Sequence, residues 1–68
     1  MLRWRLQNRL AMVREARGMT QAELARQVQV ARITVARWEL DETRPTTEMV
    51  ERLTAVLRCR PRELFPFD

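Results

Sequence analysis

Four residue types are absent from this chain of 68 residues: lysine, histidine, serine and tyrosine. The chain therefore has no imidazole base, no serine nucleophile and no lysine for a Schiff base. Its one cysteine, Cys59, has no histidine to help it form a thiolate. Carboxylates are the catalytic groups that remain, and no pattern in the sequence implies a pocket for them. We therefore expect that the protein is not an enzyme.

Metal sites and membrane spans also lack the residues they need. A lone cysteine excludes an intramolecular disulfide, and without histidine there is no plausible zinc site. We expect no metal, no cofactor and no small-molecule ligand. No apolar run approaches the roughly 20 residues that a membrane span needs. The N-terminus does not resemble a signal peptide, so the sequence predicts a cytoplasmic protein that does not engage a membrane.

Charge is carried by thirteen arginines against nine acidic residues, a net charge of +4. The planar guanidinium group suits phosphate and guanine edges, so this composition favours a nucleic-acid partner. A codon or thermostability bias explains the arginines equally well. Residues 1–20 carry five arginines and one glutamate. The basic face is therefore expected in the N-terminal part of the chain.

The first helix is indicated by apolar residues at helical spacing. Leu6, Leu10 and Val13 form a stripe that ends near Gly18, so we expect a helix over about residues 7–17. Before it, residues 2–6 alternate apolar side chains with arginine, which favours a short extended segment. One glycine, three prolines and the short length predict one domain over residues 1–68.

The next two helices are separated by barely three residues. Residues 20–23, Thr-Gln-Ala-Glu, form a capping box that begins a helix ending near Val28. A third helix is expected over about 32–40, with Val35 and Trp38 facing the core. Two short helices joined in this way predict a helix-turn-helix over about residues 21–40, whose second helix enters the major groove of DNA.

Two more helices complete the predicted all-α fold. A polar loop over 41–45 ends in a proline, and Thr46 is the expected N-cap of the fourth helix. Pro61 opens a short fifth helix. The sequence therefore predicts a compact domain of five helices.

Four motifs carry a resemblance to a known family. They are Arg14-x-x-x-Gly18-Met19-Thr20-Gln21-x-Glu23-Leu24-Ala25, Val30-x-Arg32-x-Thr34-Val35-x-Arg37-Trp38-Glu39, Pro45, and Cys59-x-Pro61-x-Glu63-Leu64-Phe65. Through them, residues 8–65 resemble the Cro and phage-repressor family of helix-turn-helix regulators, also called the XRE type. The resemblance implies a five-helix repressor-like fold. It also implies a transcriptional regulator that binds double-stranded promoter or operator DNA as a homodimer.

Candidate base-reading residues lie on the outward face of the third helix, opposite Val35 and Trp38. They are Arg32, Ile33, Ala36 and Arg37. Arginine can grip guanine with two hydrogen bonds, and the two apolar side chains can pack on thymine methyl groups. The alternative is an ordinary solvated helix face, although an isoleucine between arginines is unusual there.

Candidate phosphate contacts follow from the resemblance. The family uses glutamine as a phosphate clamp at the position of Gln21, and the alternative is an ordinary surface glutamine. Thr34 either contacts phosphate or packs. Thr43 and Arg44 resemble the family's backbone-contacting loop, with a solvated loop as the alternative. The resemblance also implies a buried ion pair, between Arg14 and Glu39.

Five positions depart from the family pattern. Gln29 and Arg58 stand where glycine is usual, and Ala31 replaces the serine or threonine that caps the recognition helix. Leu40 and Asp41 occupy positions that are often polar and glycine or asparagine. These departures predict a strained turn and reduced DNA affinity. They leave a second hypothesis open, a protein-interaction module of antitoxin-like or adaptor type.

Candidate dimer contacts are the apolar residues near the two ends of the chain. The set comprises Leu2, Trp4, Phe65 and Phe67. An apolar surface that joins Leu40 to Trp4 and Phe67 would instead favour a different protein partner.

Overall fold

Five helices make up the part of the chain that the computed structural model describes, residues 8–66. They are α1 (Leu10–Ala16), α2 (Gln21–Val28), α3 (Arg32–Glu39), α4 (Thr47–Leu57) and α5 (Pro61–Leu64). No strand occurs within residues 8–66, and the all-α prediction is confirmed. The extended segment predicted for 2–6 lies outside the described residues. No helix in the described part is long and apolar enough to cross a membrane.

The first helix begins later than the sequence predicted, at Leu10 rather than residue 7. Asn8 explains the difference, because its side chain is used in tertiary contacts. Its Oδ1 accepts a hydrogen bond from the Leu10 amide at 2.9 Å. Its Nδ2 donates to the Trp38 carbonyl at 2.7 Å and to Asp41 Oδ1 at 2.9 Å. Asn8 therefore ties the start of α1 to the end of α3.

The start of α2 is the predicted capping box. Thr20 Oγ1 accepts a hydrogen bond from the Glu23 amide at 3.0 Å, and Glu23 Oε1 accepts one from the Thr20 amide at 2.8 Å. The hydrogen bond from the Thr20 amide favours the charged carboxylate, and it is the main cause that holds the pKa of Glu23 below its ordinary value. The capping box stabilises the helix that supports α3.

The turn between α2 and α3 uses the left-handed conformation expected at Gln29, with φ 65° and ψ 46°. The Val30 amide then donates to the Ala25 carbonyl at 2.9 Å, which closes the end of α2. Ala31 is extended and provides no side-chain hydrogen bond to the start of α3. The helix-turn-helix therefore forms without the usual glycine in its turn and without a side-chain cap at the start of α3.

Two other residues that are not glycine adopt positive φ just after a helix ends. Asp41 has φ 61° just after α3, and Arg58 has φ 57° just after α4. Helix α3 ends at Glu39, one residue before the predicted end. Thr46 caps α4 as predicted, since its Oγ1 accepts a hydrogen bond from the Met49 amide at 3.2 Å. These turns set the directions of α4 and α5.

The core lies between the helices and contains aliphatic residues from all five. Its members are Leu10, Leu24, Ala25, Val28, Val35, Trp38, Leu53, Leu57, Leu64 and Phe65. Trp38 is a core residue, as predicted. Phe65 is also buried, with 6% of its surface exposed, so it is wrong as a candidate dimer contact. Cys59 is only half-buried. Burial raises the pKa of its thiol, and the nearby Glu63 carboxylate raises it further.

Candidate nucleic-acid interface

The outward face of α3 carries the four predicted base-reading residues. Arg32 and Arg37 are exposed, Ala36 is half-buried, and Ile33 keeps 47% of its surface exposed. The opposite face is fixed in the core, because Val35 is fully buried and Trp38 nearly so. The packing therefore sets the rotation of α3 and leaves one basic and partly apolar face to solvent.

The single carboxylate of α3 points away from that face. Glu39 has 7% of its side chain exposed, and its Oε2 accepts a hydrogen bond from Arg14 Nε at 2.7 Å. Arg14 has 9% of its side chain exposed and also donates to the Met19 carbonyl at 2.7 Å. Helix α1 is thus joined to α3 by a buried ion pair, as the family resemblance implied.

A hydrogen-bond chain extends from this ion pair to the start of α3. Gln21 Nε2 donates to Glu39 Oε1 at 2.8 Å. Gln21 Oε1 accepts a hydrogen bond from Arg32 Nη1 at 3.1 Å. The Gln21 carboxamide is therefore oriented on both sides, and one of its N–H groups remains for another acceptor. No local pattern in the sequence indicates this connection, because the two residues lie 18 positions apart in the chain.

The other predicted phosphate contacts occupy different surroundings. Thr34 is half-buried on α3, which is compatible with either of its predicted roles. Thr43 and Arg44 are exposed in the segment that joins α3 to α4. Gln21 stands at the first position of α2, where the backbone amides of a helix lack partners within the helix and suit an anion.

Several arginines are bound by partners within the fold, and two of them come from the N-terminal part of the chain that is expected to be basic; Arg3 and Arg5 of that part lie outside the described residues. Arg14 is buried in its ion pair, and Arg17 Nε donates to the Leu57 carbonyl at the end of α4 at 2.7 Å. Arg52 Nη1 donates to the Val28 carbonyl at the end of α2 at 3.3 Å. These guanidinium groups satisfy helix-end carbonyls. Among the described residues, the exposed arginines of the helix-turn-helix are Arg26 on α2 and Arg32 and Arg37 on α3.

Comparison with known proteins gives a family for this arrangement. A model of the helix-turn-helix family matches residues 10–64. The chain belongs to this family. A crystal structure of the P22 c2 repressor protein in complex with synthetic operator 9T, determined in the presence of Tl+, is similar to the chain. The similarity covers 88% of this chain and 91% of that one, with 32% sequence identity and a TM-score of 0.80. A search of curated proteins found no match.

Proposed function

We propose that this helix-turn-helix protein is a transcriptional regulator that binds a specific sequence of double-stranded DNA. The observation that carries the proposal is the outward face of α3, where two exposed arginines flank the exposed Ile33. Such a helix fits the major groove, in which base edges can be distinguished. The similarity to a repressor whose crystal structure contains operator DNA supports the same ligand here.

The proposed base contacts come from Arg32, Ile33, Ala36 and Arg37. Each arginine can form two hydrogen bonds to guanine, and the apolar side chains can contact thymine methyl groups. Gln21, Thr34, Thr43 and Arg44 would hold the sugar-phosphate backbone and so set the position of α3 on the duplex. Arg14 and Glu39 would hold α3 in place without touching DNA.

The departures from the family pattern leave this proposal standing. Gln29 and Ala31 sit in a turn that keeps α2 and α3 in contact, so the outward face of α3 is formed despite them. A protein-interaction module on the same fold would not require two arginines on that face. We propose that the protein acts in the cytoplasm, without a catalytic step and without a cofactor. A homodimer is part of the proposal.

The test compares Arg37→Ala with Arg44→Ala, using binding-site selection from random duplexes and salt titration of the selected site. Arg37→Ala should cost about 1 to 3 kcal/mol on the preferred site and relax the choice at one base pair. Arg44→Ala should weaken all sequences about equally and lower the salt slope by about one unit. The two roles are wrong if Arg37→Ala leaves the selected sequence unchanged and Arg44→Ala alters it. Binding to duplex that does not weaken with salt would argue against DNA as the ligand altogether.

A further inference from the structure

A groove opens between α4 and α5, on elements other than the helix-turn-helix. Its volume is about 570 Å³ and it is lined by Val50, Arg60, Pro61, Arg62 and Phe65. This α4–α5 groove falls within the size range of binding clefts in proteins. None of its lining residues belongs to α2 or α3. A ligand in the groove would therefore leave the exposed face of α3 accessible.

The groove exists because of how the chain leaves α4. Arg58 adopts φ 57° and stops α4 after Leu57, and Pro61 starts α5 after a turn of only a few residues. Helix α5 has four residues, which is too short to cover α4 along its length. Val50, two turns before the end of α4, is consequently left half-buried in the groove.

The chemistry of the groove combines an apolar base with two cations. Val50 and Pro61 supply apolar surface, and the buried Phe65 closes the base of the groove. Arg60 and Arg62 are exposed, and within residues 8–66 neither guanidinium group has a hydrogen bond or an ion pair. This distinguishes them from Arg17 and Arg52, whose guanidinium groups bind helix-end carbonyls.

The nearest acidic residue in the sequence does not neutralise these cations. Glu63 follows Arg62 directly in the chain. Its carboxylate lies near the Cys59 thiol and raises the pKa of that thiol, in addition to the larger effect of burial. No ion pair of Glu63 with either arginine occurs in the described part of the chain. Among residues 8–66, the groove therefore presents positive charge beside apolar surface, with no carboxylate paired to either arginine.

A second copy of the chain is a poor occupant on electrostatic grounds. Two-fold contact through this surface would set the same patch of each copy against the other. Arg60 and Arg62 would then face the same arginines, and like charges brought together at an interface repel. An occupant of opposite charge is favoured.

We propose that the α4–α5 groove binds an acidic peptide segment of another protein, one that also carries an apolar side chain. Its carboxylates would pair with Arg60 and Arg62, where a guanidinium group can bind a carboxylate with two hydrogen bonds. Its apolar side chain would cover Val50 and Pro61. The regulator would thus hold a protein partner on one surface while α3 remains available to DNA.

The experiment selects peptides on the full chain from a displayed library of random twelve-residue sequences, and then measures the affinity of selected synthetic peptides by fluorescence anisotropy. The selected peptides should share net negative charge and an aromatic or aliphatic residue. The double variant Arg60→Gln and Arg62→Gln should bind them about ten-fold more weakly. The matched control, Arg9→Gln and Arg26→Gln, removes two exposed arginines elsewhere and should bind the peptides as the parent does.

Four further measurements make the result decisive: unfolding temperature, DNA affinity, displacement of the peptide by duplex DNA, and self-association. Both double variants should unfold at the same temperature as the parent and bind duplex DNA with the affinity of the parent. This result would separate the peptide-binding proposal from the DNA-binding role. The proposal is overturned if selection enriches no acidic peptides or if the Arg60 and Arg62 substitutions leave peptide affinity unchanged. It is also overturned if duplex DNA displaces the peptide, because the groove would then be a phosphate surface. A change of self-association in the Arg60 and Arg62 variant alone would assign the groove to a second copy of the chain instead.

Discussion

Single buried side chains decide how firmly α3 is held. Glu39 accepts hydrogen bonds from Arg14 and from Gln21, and its side chain is 7% exposed. Replacing Glu39 by alanine would leave the Arg14 guanidinium group buried without its anion. We expect Glu39→Ala to lower the free energy of unfolding by about 3 to 5 kcal/mol, measured by urea denaturation.

Glu15→Ala is the control for that substitution. Glu15 also lies near Arg14, with Oε2 at 3.7 Å from Nη2, but its side chain is 70% exposed. An exposed pair of this kind contributes about 0 to 1 kcal/mol. If Glu39→Ala and Glu15→Ala have the same free energy of unfolding, the buried pair does not stabilise the fold.

Gln21 is expected to act on base choice as well as on phosphate. Its carboxamide links Glu39 to the Arg32 guanidinium group, so removing it would free Arg32 to rotate away from the position proposed for base reading. A double-mutant cycle of Gln21→Ala and Arg32→Ala, measured on preferred and altered duplexes, should show coupling of about 0.5 to 3 kcal/mol. A residue that only clamps phosphate would weaken every duplex alike and show no coupling with Arg32.

At the scale of elements, the turn between α2 and α3 carries backbone strain. Gln29 has φ 65°, a region in which residues other than glycine pay a steric cost. Gln29→Gly should leave the free energy of unfolding unchanged or raise it by up to about 1 kcal/mol. Gln27→Gly, two residues earlier on the exposed side of α2, is the control and should lower it by about 1 kcal/mol. An equal decrease in the free energy of unfolding in Gln29→Gly and Gln27→Gly would mean that the turn does not need the left-handed conformation.

At the scale of the whole molecule, one short recognition helix contacts few bases, which favours assembly on symmetric DNA. We expect two copies to bind half-sites about 34 Å apart, one turn of the duplex. Lengthening the spacer by half a helical turn should abolish joint binding, and restoring a full turn should recover it, as read by sedimentation of the complex. Of the predicted dimer contacts, Phe65 is buried, while Leu2, Trp4 and Phe67 lie outside the described residues. One copy per duplex at every spacing would exclude the dimer.

Local sequence by itself determined the helices, because their signals lie within a few residues of one another. The Thr20–Glu23 capping box, the Thr46 cap and Pro61 each act on the backbone of their own first turn, so their effects are readable before folding. The apolar positions Val35 and Trp38 likewise determined which face of α3 turns inward. The predicted base-reading face followed from that rotation.

Tertiary structure alone decided what the polar side chains contact. Asn8 looks like part of a helix in the sequence, yet its carboxamide is bound to Trp38 and Asp41, and α1 starts after it. Arg17 looks like one of several N-terminal cations, yet it binds the Leu57 carbonyl. Long polar side chains choose partners by distance in space, and the chain separation between those partners leaves no periodic trace in the sequence. The α4–α5 groove was hidden for the same reason, since it depends on how far a four-residue helix reaches across its neighbour.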